Sequence, residues 1–191
     1  MIATYAEVIE DWQRIYERDC PLVMEARDVP LSEIDIAPLL AKAPFALRAE
    51  GEVGELSAQL TELPDALIAD IAALANRFAE LTRKSSLRVR LEGVTTNACK
   101  KVHADYTDIR LITTYAGPGT DYAPHGAEDH GGDCCLERVP TGAVALFKGR
   151  LFGAGHEPCL HRSPPIEGSG EARLVLVIDT PARETINVQN Q

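Results

Sequence analysis

The sequence predicts an α+β protein in which helices precede an antiparallel β-sandwich or barrel. Two observations support this prediction. In the first third of the chain, apolar residues recur at steps of three and four, which is the helical period. After Lys84, apolar residues alternate with polar ones or form short runs between turns that contain Gly and Pro. No pattern of helix length separates these runs, so the strands should pair antiparallel.

The length and composition indicate one globular domain. The chain has 191 residues, and a domain averages roughly 150. Hydrophobic residues make up 45% and charged residues 25% of the chain, which excludes disorder, collagen and a coiled coil as the main architecture. We expect a single domain over residues 1–191. Residues 1–84 should be mainly helical support, and residues 85–191 should form the β core that carries the functional site.

Three helices are predicted in the first third of the chain. Thr4 and Glu7 fit a capping box at the start of the first helix, and Ser32 is placed to cap the second. The third helix is predicted near 64–82, because Pro64 suits a first helical position. The apolar residues of this helix belong to a stripe formed by Leu56, Leu60, Leu63, Leu67, Ile71, Leu74, Phe78 and Leu81. A single stripe must cover a sheet or another helix, so we expect this helix to pack outside the β core.

Four segments have the pattern of β-strands. Residues 87–91 alternate apolar and polar side chains, and residues 109–115, 142–148 and 173–179 are short β-rich runs. The polar, Gly-containing stretch 121–137 predicts a mobile loop between two of these strands.

The charge and the cysteine content restrict the partners and the compartment. Nineteen Lys and Arg against 29 Asp and Glu give a net charge of −10, so we expect no nucleic-acid partner. No apolar run approaches the roughly 20 residues that span a bilayer, and no export signal is visible, so we expect no membrane partner. Five cysteines, an odd number, favour reduced thiols over a disulfide framework and predict a cytoplasmic protein.

Four residues of the β-rich part have the character of a metal and anion site. His103 and Asp105 are two residues apart, so on a strand both point to one face. His161 follows a later predicted strand, and Arg173 opens the last one. If Arg173 faces inward, it is buried and needs an anionic partner. By contrast, the sequence has no motif for a nucleophilic serine, a phosphate loop or a dinucleotide site.

Cysteines and histidines offer a rival, zinc-type constellation. Cys99 precedes His103 by four residues, and His156, Cys159 and His161 have the spacing His-x2-Cys-x-His. Zinc binds tetrahedral sets of these ligand types. The alternative is that Cys99 and Cys159 are simply small buried residues. Further residues of the polar loop are either solvent-exposed or secondary metal ligands, namely His125, His130, Cys134 and Cys135.

The order His-x-Asp, a distant His, and an Arg about one hairpin later is informative as a whole. From about Leu87 to Asp179, the sequence resembles the iron(II)- and 2-oxoglutarate-dependent dioxygenases in this order. The resemblance implies a double-stranded β-helix (a jelly-roll, cupin-like fold) with the N-terminal helices packed on it. It also implies that His103, Asp105 and His161 bind Fe(II) and leave three positions for the keto-acid end of 2-oxoglutarate and for dioxygen.

The same resemblance assigns the contacts of the 2-oxoglutarate cosubstrate. Arg173 would hold its far carboxylate through two charge-assisted hydrogen bonds. Tyr115 or Arg110 would add a polar contact, although these two residues are an odd number apart and should face opposite sides of their strand. Tyr115 is the preferred candidate because it shares the parity of His103 and Asp105.

A closer resemblance covers most of the chain after Arg88. The matching segments are Asn97-Ala98-Cys99, His103-Ala104-Asp105, Arg110-Leu111, Thr114-Tyr115, Gly117-Pro118-Gly119-Thr120, 140–146, 161–165 and Arg173-Leu174. In these segments the sequence is similar to a bacterial family, the domain of unknown function 1826. Members of that family are often associated with zinc-related gene neighbourhoods, which keeps a zinc site open.

The leading functional hypothesis is therefore a non-haem Fe(II)- and 2-oxoglutarate-dependent oxygenase. The first alternative is a zinc-binding protein of metal homeostasis on the same scaffold, without oxygenase activity, which would recruit Cys99 or Cys159. The second is a cupin-like metalloenzyme of another reaction type. The substrate, whether a small molecule or a protein, and the oligomeric state stay open.

Overall fold

The computed structural model describes residues 12–124 and 135–181. Its helices are α1 (Glu33–Ala41), α2 (Asp65–Thr82) and two 3-10 helices, Trp12–Tyr16 and Val53–Gln59. Its strands are β1 (Leu22–Glu25), β2 (Phe45–Glu52), β3 (Ser86–Val94), β4 (Ile109–Ala116), β5 (Asp121–Tyr122), β6 (Glu137–Arg138), β7 (Val144–Lys148), β8 (His161–Arg162) and β9 (Arg173–Asp179). Several residues of the sequence predictions lie outside the described residues, namely Thr4, Glu7, His125, His130 and Cys134.

The strands form two sheets. The larger has the order β1-β7-β4-β9-β3-β2, and the smaller has the order β6-β5-β8. The strand pairs within both sheets are antiparallel. The predicted class is confirmed: the protein is α+β, with helices packed on a double-stranded β-helix of antiparallel strands.

Helix α2 covers the outer face of the six-stranded sheet. Its buried residues are Leu67, Ile71, Leu74, Ala75, Phe78 and Leu81, and they belong to a cluster of 26 buried apolar residues. Pro64 is the N-cap, and the helix ends at Arg83, which has a left-handed backbone with φ 55°. Ser32 caps α1 through a capping box with Asp35, as predicted. Within the described residues, no helix combines the length and apolarity needed to cross a membrane.

The inner face of the six-stranded sheet meets the three-stranded sheet around a smaller interior. Nine buried apolar residues contributed by both sheets and their loops pack there. Side chains alternate along a strand, so every second residue of β4 and β9 points into this interior. The inward residues are Arg110, Ile112 and Thr114 on β4, and Arg173, Val175, Val177 and Asp179 on β9. This face positions the functional site.

The first 84 residues contain strands that the sequence analysis did not predict. β1 pairs with β7 and β2 pairs with β3, so this segment supplies both edges of the six-stranded sheet. β1 has only four residues, too few to display a period, and β2 contains two alanines, which favour helices. The predicted loop 121–137 also differs, because its ends pair with β8 and with each other as β5 and β6.

Candidate functional site

His103, Asp105 and His161 converge at one end of the interior. His161 lies on β8, and a two-hydrogen-bond bridge joins its backbone to His103 at N···O distances of 2.8 and 2.9 Å. Asp105 follows two residues later. One ligand atom from each of the three side chains lies within 4.8 Å of the other two. Asp105 Oδ2 is 3.1 Å from His161 Nε2, and Asp105 Oδ1 is 3.6 Å from His103 Nε2.

Backbone carbonyls fix the tautomers of both histidines. His103 Nδ1 lies 2.8 Å from the carbonyl oxygen of Lys101, and His161 Nδ1 lies 3.2 Å from that of Cys159. A carbonyl can only accept, so each Nδ1 carries a proton, and in the neutral ring each Nε2 then presents a lone pair. This is the arrangement in which protein histidines ligate metals.

The cluster has the electronic character of a cation site. Asp105 Oδ2 is buried and has no hydrogen-bond partner among the described residues. It lies 3.1 Å from His161 Nε2. Burial alone would raise the pKa of Asp105, but His161, Arg110 and His103 hold it below its usual value. Two imidazoles and one carboxylate fit a divalent metal with open coordination positions.

Arg110 lies beside the cluster, but its contacts differ from the predicted one. Its Nη1 is 2.6 Å from Asp105 Oδ1, and its Nε and Nη2 donate to the two carboxylate oxygens of Asp179 at 2.7 and 2.8 Å. Arg110 therefore binds the candidate metal ligand rather than standing free for a cosubstrate. Asp179 was not singled out by the sequence analysis, although it shares the face of Arg173 on β9.

Tyr115 does not face the site, which corrects its assignment as a cosubstrate contact. Its side chain is buried on the outer face, and its hydroxyl donates to Asp70 Oδ2 on α2 at 2.6 Å. The parity argument failed because His103 and Asp105 do not belong to the strand of Tyr115, which begins at Ile109. A register shift between Thr114 and Ala116 further disturbs the alternation.

Arg173 is buried in the interior among neutral partners, with 1% of its surface exposed. Its Nε donates to the carbonyl oxygen of Pro118 at 2.6 Å, and its Nη1 donates to Ser163 Oγ at 3.0 Å. Its Nη2 lies 3.5 Å from Thr114 Oγ1 and 3.4 Å from Thr120 Oγ1. Among the described residues, no carboxylate forms an ion pair with it. Burial lowers the pKa of Arg173 to about 10.

The three hydroxyl residues around Arg173 were missed by sequence reasoning, although a signal existed for two of them. Ser163 follows His161 by two residues and so shares its face. Thr114 has the parity of Arg110 on β4. Thr120 lies in the turn before β5, where no periodic pattern applies.

The cysteines of the described residues stand outside the cluster of candidate ligands. Cys159 is buried, and burial together with the nearby Asp105 and Glu157 raises the pKa of its thiol to about 12. Cys99 and Cys135 are exposed. His156 is also separate from the cluster, since its Nδ1 lies 3.4 Å from Lys148 Nζ. Cys99 is therefore not the small buried residue of the alternative interpretation, whereas Cys159 is.

Solved structures of three oxygenases are similar to this chain in fold. Dioxygenase for auxin oxidation from rice has a TM-score of 0.54 at 11% identity, with 87% of this chain and 75% of that one covered. Dioxygenase for auxin oxidation 1 from Arabidopsis thaliana, in a complex with 2-oxoglutarate, has a TM-score of 0.51 at 13% identity, with 89% and 87% covered. A prolyl-4-hydroxylase from Pseudomonas putida has a TM-score of 0.52 at 10% identity, with 89% and 96% covered.

The fold and the cluster together define the class, a double-stranded β-helix protein with a His–Asp–His site of the kind suited to a metal. The chain belongs to the family described as "Protein of unknown function (DUF1826)", whose pattern matches residues 9–179. This confirms the family resemblance seen in the sequence. No curated protein matches the sequence.

Proposed function

We propose that the protein is a non-haem Fe(II)- and 2-oxoglutarate-dependent oxygenase. One observation carries the proposal. A single barrel interior contains a buried carboxylate oxygen that lies beside two imidazoles and has no hydrogen-bond partner among the described residues, and it also contains a buried guanidinium with neutral partners. The Oδ2 atom of Asp105 has no donor among the described residues, although Arg110 pairs with Oδ1, and the guanidinium of Arg173 has no anionic partner among them. A divalent metal chelated by a dicarboxylate supplies a partner for each.

The three residues of the cluster would hold the metal. His103 and His161 would bind through Nε2, and Asp105 through Oδ2, because these are the atoms without hydrogen-bond partners of their own. Bound Fe(II) together with 2-oxoglutarate would supply oxidation of a substrate by dioxygen. The one carbonyl that accepts from each Nδ1 keeps its ring in the orientation that ligation needs.

Arg173 would bind the far carboxylate of 2-oxoglutarate. Its planar guanidinium can donate two parallel hydrogen bonds to a carboxylate, and the hydroxyls of Ser163 and Thr120 lie within reach of it. Ser163 shares the inward face with His161, so the chain segment that ligates the metal also leads to the carboxylate pocket. Burial makes the unpaired guanidinium costly, and an anionic ligand would relieve that cost.

Thermal unfolding with Fe(II) under anaerobic conditions tests this proposal. At a hundredfold excess over its Kd, 2-oxoglutarate should stabilise the protein by about 2.7 kcal/mol. For a chain of this size, this raises Tm by roughly 5–10 °C. The shift should require the metal, vanish in Arg173→Ala and His161→Ala, and be much reduced in Arg173→Lys. His156→Ala is the matched control and should retain the full shift, because His156 lies outside the cluster.

The same titration discriminates the zinc-binding alternative. That alternative predicts tight Zn(II) binding that weakens in Cys99→Ser or Cys159→Ser, with no stabilisation by 2-oxoglutarate at any metal loading. Such a result would overturn the oxygenase proposal. The oxygenase proposal needs Arg173 to bind 2-oxoglutarate, whereas a zinc-binding protein without oxygenase activity does not.

A further inference from the structure

Arg110 connects the candidate metal ligand Asp105 to the end of strand β9. Its guanidinium makes one contact with Asp105, Nη1 to Oδ1 at 2.6 Å, and two hydrogen bonds to Asp179. The three side chains are largely buried, with exposed fractions of 17% for Arg110, 9% for Asp105 and 10% for Asp179. Arg110 thus pairs with two carboxylates at once.

The two oxygens of Asp105 are consequently unequal. Oδ1 accepts from Arg110, whereas Oδ2 is buried without a hydrogen-bond partner among the described residues and faces His161 Nε2. A carboxylate that is held at one oxygen cannot rotate freely about its side-chain bond. Arg110 therefore fixes the plane of the carboxylate and leaves Oδ2 as the oxygen that points at His161.

The backbone around Asp105 makes this restraint necessary. Asp105 lies between the isolated bridge at His103 and the start of β4, so no strand ladder holds it on both sides. Its carbonyl accepts one hydrogen bond from the backbone N–H of Arg150 at 2.8 Å. By contrast, Arg110 and Asp179 are directly paired residues of β4 and β9 in the middle of the sheet. Arg110 thus connects Asp105, which lies in a loop, to the two central strands of the sheet.

We propose that Arg110, held by Asp179, is a positioning residue that restricts Asp105 to binding the metal through Oδ2 alone. This inference rests on the metal site of the proposed function. A carboxylate that binds through both oxygens occupies two coordination positions, whereas one that binds through a single oxygen occupies one. With two histidines, single-oxygen binding leaves three positions of an octahedral metal free, which is what a bidentate cosubstrate and dioxygen together require.

A second Arg–Asp pair of the protein provides a matched control. Arg27 binds Asp70 through both guanidinium Nη atoms on the outer face of the same sheet, with exposed fractions of 20% and 10%. Its burial matches that of the Arg110–Asp179 pair, and both pairs make two hydrogen bonds, but the Arg27–Asp70 pair has no contact with the cluster. Changes at Arg27 therefore report the general effect of breaking a buried ion pair.

Co(II) titration of the full chain, followed by visible absorption, tests the inference, because the Co(II) spectrum reports the coordination number independently of activity. Arg110→Gln should weaken Co(II) binding by about 10–100-fold, as is usual when a group that orients a ligand is lost. The visible spectrum of Co(II) bound to Arg110→Gln should differ from that of Co(II) bound to the wild type, because Asp105 can then bind through both oxygens. Asp179→Asn should change affinity and spectrum in the same direction, and Arg110→Lys should restore part of both. Arg27→Gln should match the wild type in affinity and spectrum.

The outcomes separate this inference from the proposed function. If the wild type binds no Co(II), both the metal site and the role of Arg110 are wrong. If the wild type binds Co(II) but Arg110→Gln and Asp179→Asn keep its affinity and its spectrum, only the positioning role is wrong. Tighter binding in Arg110→Gln would also overturn it, since the guanidinium would then act as a competing cation. Arg110→Lys and Asp179→Asn retain a cation at residue 110 and decide the question if Arg110→Gln does not fold.

Discussion

Two buried Arg–Asp pairs lie on opposite faces of the six-stranded sheet, and each has a different third partner. On the outer face, the Arg27–Asp70 pair accepts a hydrogen bond from the Tyr115 hydroxyl at 2.6 Å. On the inner face, the Arg110–Asp179 pair contacts a second carboxylate, Asp105. The outer group is complete, because its polar atoms satisfy one another. In the inner group, Asp105 Oδ2 has no hydrogen-bond partner among the described residues.

The two faces of the sheet also differ in how many buried apolar residues pack on them. Of the described residues, 26 buried apolar ones form the cluster that the outer face shares with the helices, whereas nine pack in the interior between the sheets. Burial of apolar surface is the main favourable term in folding. Among the described residues, the outer face therefore buries more apolar side chains than the inner face, which also holds the charged groups of Asp105 and Arg173.

The largest expected effect separates the two faces by truncating one buried phenylalanine on each. Phe78 on α2 packs in the outer cluster, and Phe147 on β7 packs in the inner one with its ring 4.7 Å from that of His161. Each substitution to Ala should lower the free energy of unfolding by about 3–5 kcal/mol. Only Phe147→Ala should also weaken Co(II) binding, because only Phe147 supports a candidate ligand. Urea unfolding and Co(II) titration measure the two effects, and weaker Co(II) binding in Phe78→Ala would contradict the separation.

A smaller effect is expected when two arginines are compared, one paired with a carboxylate (Arg27) and one surrounded by neutral groups (Arg173). Arg27→Met leaves Asp70 as a half-paired carboxylate and should cost about 2–3 kcal/mol, below the range for a fully buried pair because Arg27 is partly exposed. Arg173→Met removes a buried cation whose partners are neutral and should change the stability of the ligand-free protein by less than about 1 kcal/mol. Urea unfolding without metal or 2-oxoglutarate measures both. Equal losses in the two variants would mean that Arg173 is already compensated.

The elements with strong periodicity could be predicted from the sequence. The strand 173–179 was predicted with its observed bounds, and the helix near 64–82 differs by one residue at its start. In both segments the apolar residues recur over a long stretch with a period that fits only one type of secondary structure. β1 and β2 were not predicted, because their edge positions leave them short or rich in alanine and their pairing depends on partners far along the chain.

The site could be predicted only where side chains carry a strong chemical signal. His103, Asp105, His161 and Arg173 combine ligand chemistry with an ordered spacing, and the fold places all four at the interior. Tyr115 was wrongly assigned because parity holds only within one continuous strand. The contacts of Arg110 with Asp105 and Asp179 depend on pairing between β4 and β9, which no local pattern displays.

The smallest expected effect concerns the third partner on the outer face. Tyr115→Phe removes the hydroxyl that donates to Asp70 and should cost about 1–2 kcal/mol near neutral pH, since a buried charged acceptor loses one donor. Burial, followed by the negative charge of Asp70, raises the pKa of Tyr115 well above 10. Below pH 10 the tyrosine is neutral in both the folded and the unfolded chain, so its full contribution is present there.

Above pH 10 the difference between wild type and Tyr115→Phe should shrink. The unfolded chain then releases the tyrosine proton while the folded protein retains it, so the unfolded state binds fewer protons and the free energy of unfolding of the wild type falls with rising pH. Tyr115→Phe lacks this titration and loses less stability over the same interval. Urea unfolding of both proteins at pH 8 and pH 10.5 measures the change in the gap. If the difference in free energy of unfolding between the two proteins stays constant, Tyr115 ionises at the same pH in the folded and the unfolded chain. The group formed by Arg27, Asp70 and Tyr115 would then not be shielded from solvent as described.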